Sequence, residues 1–164
     1  MDITLNVYYL GTEKDSIHNF NVFGGIGFGL YHTGVAINGV EYAYGGDMNS
    51  EATGVFESIP KKAANYTYYQ SYTLGTARDI IEVNRILHQI KSEFKANEYS
   101  LIHKNCNHFA EELCMRILGK GLPVYINRPA RLGTLFSFIL PDNLKKLNSS
   151  VPASQSKSSA APAR

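Results

Sequence analysis

The sequence has no tryptophan and only two cysteines, and none of its apolar runs approaches the roughly 18 residues that a membrane-spanning helix needs. Cys106 and Cys114 fall on one expected helix with side chains pointing different ways, which excludes a disulfide framework and leaves two free thiols. Free thiols suit a reducing compartment. The first residues show no basic-then-apolar leader, so a soluble intracellular protein is expected, cytoplasmic first and nuclear second. Charge of one sign is also missing. Sixteen Lys and Arg stand against 14 Asp and Glu, interspersed, for a net +2. That balance argues against nucleic acid or an anionic membrane as a partner.

What is present is enough apolar content for one real core, 44% over 164 residues. Residues 3–10 are β-branched and aromatic and read as a buried strand. Residues 11–21 read as a polar loop holding His18, to which no role falls. The stretch 23–29 carries Gly24, Gly25, Gly27 and Gly29. Its spacing is not G-x-G-x-x-G and no helix opens after it, so it is no phosphate cradle and no cofactor is expected. Asn38-Gly39 predicts a two-residue type I′ hairpin between strands 31–37 and 40–45. The turn sets Ile37 opposite Val40, Val35 opposite Tyr42, Thr33 opposite Tyr44 and His32 opposite Gly45. One face then carries Tyr31, Thr33, Val35, Ile37, Val40, Tyr42 and Tyr44, the other His32, Gly34, Ala36, Glu41, Ala43 and Gly45. The small face around His32 is expected to seat another element.

Two further strands are predicted at 54–59 and 68–74. Thr76 is expected to cap a long helix, with Asp79 three residues on. Its stripe is Ile80, Val83, Leu87, Ile90 and Phe94, its stop Asn97, and His88 lies off the stripe in solvent. A second helix is predicted from Cys106 to Leu118, ending at Gly119. Residues 122–131 read as extended, 132–140 and 141–147 as short helices, and the Ser/Ala/Pro-rich 148–164 as a disordered tail. The organisation is one domain over 1–147 and a tail over 148–164.

Cys106 falls on the apolar stripe of its helix with Ala110, Leu113 and Ile117, which a core cysteine would also do. Against that, it opens the helix between Asn105 and Asn107, and a helix N-terminus favours a thiolate. A His32–Cys106 pair of base and nucleophile follows, while Cys114, two turns in, gains nothing from the dipole. His103, Cys106, His108 and Cys114 mimic a zinc spacing, but Cys106 and His108 differ by about 200° around a helix, so no metal site is expected. Glu41 lies four residues along from the level of His32, over about 10 Å at the rise of a strand, too far to orient it. The reading is therefore a dyad, with the Cys106 N–H and either Asn105 or Tyr8 as oxyanion donors.

His32-Thr33-Gly34-Val35, Glu41-Tyr42-Ala43-Tyr44-Gly45-Gly46, Asn105-Cys106-Asn107-His108-Phe109 and 123–128 (PVYINR) resemble the PPPDE superfamily of desumoylating-isopeptidase-like cysteine peptidases, nearest its desumoylating isopeptidase 2 branch. The resemblance spans about residues 3–145. It implies an α+β fold, a circularly permuted papain-like peptidase with an antiparallel sheet packed against helices and the catalytic cysteine at a helix N-terminus. It also implies His32 and Cys106 as catalytic residues, ubiquitin or SUMO conjugates as partners, and room for a homodimer. A ubiquitin-like tail ends in two glycines, and Gly24 to Gly29, Gly34, Gly45 and Gly46 would form a narrow slot for it. The alternatives are a protein S-acyl (palmitoyl) thioesterase on the same dyad and a non-catalytic module that binds ubiquitin-like proteins.

Overall fold

The computed structural model describes residues 1–10, 31–64, 66–101 and 103–123. The glycine-rich stretch, His18, the segments after residue 123 and the tail lie outside the described residues. The fold is α+β. Five antiparallel strands, β1 (Asp2–Leu10), β2 (Tyr31–Ile37), β3 (Val40–Tyr44), β4 (Val55–Ser58) and β5 (Tyr66–Thr76), are ordered β4-β3-β2-β1-β5. Two helices follow, α1 (Ile80–Glu93) and α2 (Cys106–Leu118), joined through a 3-10 turn at Ala96–Glu98.

Asn38 and Gly39 both take positive φ, 49° and 81°, as a type I′ turn requires. The ladder they set runs Ile37↔Val40, Ala36↔Glu41 and Val35↔Tyr42, and stops there. The expected pairs Thr33–Tyr44 and His32–Gly45 are not part of it. β3 turns instead toward β4, pairing Tyr44 with Val55, and the Gly45 N–H donates to the Gly54 carbonyl at 3.0 Å. β2 remains a strand to Tyr31 because β1 holds its other edge, through Tyr9↔Tyr31 and Tyr8↔His32.

Cross-strand partners share a face. Ile3, Leu5 and Val7 of β1 therefore line up with Ile37, Val35 and Thr33 of β2, and this bulky face meets Val83, Leu87 and Ile90 of α1 and Phe109 and Leu113 of α2 in one core. The helices thus cover the large apolar face and not the small His32 face, which corrects the expected seat: apolar area, rather than clearance, decides where an amphipathic helix packs. Two smaller corrections concern α1. Its N-cap is Asp79, whose side chain accepts from the Ile81 N–H at 2.8 Å, because β5 runs on to Thr76 to pair with Asp2. Ile86 replaces Ile80 on its buried side, and its C-cap is Phe94 rather than Asn97.

The opposite face is buried too, by polar contacts. Glu41 is fully buried and accepts from Asn6 Nδ2, from the Tyr8 hydroxyl at 2.6 Å and from the Lys61 N–H at 3.0 Å. Ser71 then donates to Asn6 Oδ1 at 2.6 Å. Gly34 packs against this network. A Cβ there would stand 2.7 Å from Glu41 Cγ and Cδ. Gly34→Ala should therefore push the Glu41 carboxyl off its donors and lower stability by about 2 kcal/mol, the scale of an unsatisfied buried polar group. An unchanged urea midpoint in that variant would refute the assignment.

Candidate active site

The site is built where two sets of unpaired backbone groups meet. An antiparallel strand left by its neighbour exposes N–H and C=O groups along that edge, and a helix start exposes up to four N–H groups. The free edge of β2 begins where β3 departs, and the first turn of α2 docks on it. Asn107, 7% exposed, accepts from the Thr33 hydroxyl at 2.8 Å and donates through Nδ2 to the Tyr31 carbonyl at 3.3 Å. The Cys106 thiol points to the same Tyr31 carbonyl at 4.0 Å. The sulfur therefore lies against the β2 backbone at the two residues that flank His32.

Asn105 is the N-cap of α2. Its Oδ1 accepts from the N–H groups of Asn107 and His108, at 2.9 and 3.1 Å, and its Nδ2 donates to the Leu101 carbonyl at 2.7 Å. Its Oδ1 and one Nδ2 hydrogen are committed there, so Asn105 shapes the helix start. His108 completes a capping box, its Nδ1 accepting from the Asn105 N–H at 3.2 Å. The pattern Asn-x-x-His could have shown this, had His108 been read as the third residue of the helix. Tyr8 is withdrawn as an oxyanion donor, because its hydroxyl hydrogen is given to Glu41. Burial and Glu41 together hold that phenol far above the ordinary tyrosine range.

The thiol is 5% exposed and burial pushes its pKa up, against an opposing set of donors: the Thr33 N–H, the Tyr99 hydroxyl, and the N–H groups of Asn107 and Cys106 itself. An activated, depressed thiol was the sequence expectation. Helix position does supply donors, but desolvation outweighs them. Cys114 is fully buried and is pushed up to about 12 by burial, in keeping with a packing role. His32 is 2% exposed and burial pushes it down to about 4. Its ring is stacked on Tyr66 with centroids 4.1 Å apart, and its Nε2 is buried without a hydrogen-bond partner among the described residues.

Of the slot glycines, those among the described residues are placed as follows: Gly34 faces Glu41, Gly45 is bonded to Gly54, and Gly46 gives room to Tyr99, whose Cβ would lie 2.7 Å from a Cβ added there. The residues that sequence reading missed are Asn107, Tyr99 and Tyr66. Asn107 could have been suspected as a polar residue beside an apolar stripe; the two tyrosines carry no local signal. Among the described residues no group of three or more His, Cys, Asp or Glu could hold a metal ion, and His103 is exposed.

Comparison with known proteins bears on this geometry. Residues 1–144 match the family described as "PPPDE putative peptidase domain". A DeSI-like protein of Arabidopsis thaliana is 31% identical over 144 residues, which cover 87% of this chain and 61% of that protein. A Caenorhabditis elegans protein named desumoylating isopeptidase 1 homolog is 34% identical over 142 residues, 84% of this chain and 40% of that protein. The DeSI-like protein sdu1 of Schizosaccharomyces pombe is 34% identical over 141 residues, 85% of this chain and 69% of its own length. The chain spans less than two thirds of the first two.

The burial of His32 has a consequence for stability. Above pH 6.5 neither folded nor unfolded imidazole carries the extra proton, and nothing is lost. Between 6.5 and about 4 only the unfolded chain takes it up, so stability falls with acidification and the His32 contribution levels off below. At 1.36 kcal/mol per pH unit the loss approaches about 3 kcal/mol. Urea unfolding between pH 7 and 4 should show a steeper decline for the native protein than for His32→Gln; parallel declines would mean that the imidazole is not desolvated.

Proposed function

The chain belongs to the PPPDE peptidase family, and from that premise we propose that it is a cysteine-dependent isopeptidase acting on conjugates of ubiquitin-like modifiers, with Cys106 as nucleophile and His32 as base. SUMO is the first modifier to test, since one relative is named for removing it. The observation that carries the reading is the docking of the Cys106 sulfur on the β2 backbone at Tyr31 and Thr33, either side of His32.

Chemistry follows from the environment. With the thiol pushed up and the imidazole pushed down, the resting pair is neutral, a thiol and a free base. Proton transfer to His32 Nε2, which has no competing partner among the described residues, then accompanies attack on the isopeptide carbonyl instead of preceding it. The Thr33 N–H and the Tyr99 hydroxyl stabilise the developing charge on sulfur. The Cys106 N–H, at a helix start whose next two donors are taken by Asn105, turns from the sulfur to the carbonyl oxygen as that oxygen gains charge. Protonated His32 delivers its proton to the departing lysine amine, and water cleaves the thioester.

SUMO and ubiquitin carrying a C-terminal electrophile, assayed beside a palmitoyl-thioester substrate, test the proposal. One of the two modifiers should become attached to Cys106. Cys106→Ala should abolish the adduct, and His32→Ala should slow it by about 100-fold or more, the scale of a lost general base. Turnover of the palmitoyl thioester with no modifier adduct would replace the reading with an S-acyl thioesterase. Inertness toward all three would leave a binding module.

A further inference from the structure

A histidine base is commonly held in one orientation by a carboxyl or amide group on its second nitrogen. Among the described residues no carboxyl or amide group is bonded to the His32 ring. The nearest buried acid on that face, Glu41, is occupied by Asn6, Tyr8 and Lys61. The torsion that rotates an imidazole is broad and close to two-fold, so without a restraint the ring would sample more than one facing.

The restraint present is aromatic. Tyr66 enters at the start of β5, opposite Leu10, and reaches past β1 to lie flat on the His32 ring, with centroids 4.1 Å apart and planes 6° from parallel. On another side the Tyr8 ring is tilted by 47° at 5.8 Å. Tyr8 is itself immobilised by its 2.6 Å bond to Glu41, and it meets Tyr68 edge-on at 5.9 Å. Resting on the reading of His32 as the base, we propose that Tyr66 is its positioning residue, fixing the imidazole by ring stacking where a triad would use a hydrogen bond.

Two features distinguish this from ordinary packing. Tyr66 is only half-buried, so it is not placed there to fill the core, and it lies outside the cluster that binds sheet to helices. Its phenol is pushed up to about 12, by burial first and then by charge on Cys106, so its hydroxyl end is within electrostatic reach of the sulfur. A stacked neutral ring also differs from a carboxylate in effect: it orients the imidazole without raising its basicity, and so preserves the neutral base that burial produces.

The test uses the full chain with Tyr66→Phe, which keeps the ring, and Tyr66→Leu and Tyr66→Met, which remove it at similar volume. Imidazole NMR signals assigned to His32 should stay single and sharp in the native protein and in Tyr66→Phe, and should broaden or double in whichever ring-less variant folds. With the modifier conjugate that the native protein hydrolyses, kcat should fall about 10- to 100-fold in the ring-less variants with KM within twofold, and Tyr66→Phe should restore kcat to within threefold. Native-like His32 signals or native kcat in a folded ring-less variant would overturn the proposal. So would a loss in Tyr66→Phe as large as in Tyr66→Leu, which would assign the effect to the hydroxyl. If the native protein hydrolyses no conjugate, the functional reading fails, while the NMR comparison still decides whether Tyr66 holds the ring.

Discussion

The docking of the first turn of α2 on the exposed edge of β2 is the contact on which the rest depends. Once β3 turns away after Val35↔Tyr42, the Tyr31 carbonyl and the Thr33 amide need partners, and a bare edge is costly inside a protein. The start of α2 has the complementary problem of unpaired N–H groups. Asn105 settles two of those donors, Asn107 donates to the Tyr31 carbonyl and accepts from the Thr33 hydroxyl, and the Thr33 N–H turns to the Cys106 sulfur. The sulfur of Cys106 is carried into the same notch, among donors that neither element could provide alone. Reactivity and architecture thus share a cause, because the irregularity that opens the sheet is the one that the helix closes.

The face beneath the sheet meets a different requirement. A buried acid is worth keeping only if its oxygens are satisfied, and Glu41 has three donors, two from β1 and one from the Lys61 backbone. Gly34 is the price of fitting that carboxyl against β2. What the network secures is Tyr8, whose ring borders His32. The polar cluster does not touch the imidazole, yet it makes rigid one of the walls around it, a use of buried polarity in which geometry matters more than net stability.

Local signals in the sequence were strong where a few adjacent residues decide the outcome. Asn38-Gly39 gave the hairpin and its register for three pairs, Gly119 with its φ of 68° ended α2, and the helix start at Cys106 followed from Asn105 and the apolar stripe. Alternation along β2 separated the two faces correctly, but it does not say which face a helix will cover. Clearance around His32 suggested one answer and apolar area decided the other, since Val35 and Ile37 have far more surface to remove from water than Gly34 and Ala36. Contacts between distant segments were not legible. Tyr66 on His32 and Glu41 on Tyr8 each join residues more than 30 positions apart, through side chains that no short pattern links. Tyr8 as an oxyanion candidate failed for a related reason: it can donate in principle, and only the fold shows that its one hydroxyl hydrogen goes to Glu41.

Desolvation acts on the two central groups in opposite directions, and that bears on how such a site can be both safe and competent. A solvent-facing thiolate would be open to oxidation at all times, since susceptibility follows thiolate character and exposure. Burying the thiol suppresses that form, and burying the imidazole keeps it unprotonated and ready to accept. The cost is that the thiolate is not available in advance. On the proposed reading, the donors around the sulfur and the N–H of Cys106 would lower the energy of charge where it develops during attack. A seated carbonyl would then make proton transfer favourable, and a molecule bringing none would meet a protonated sulfur.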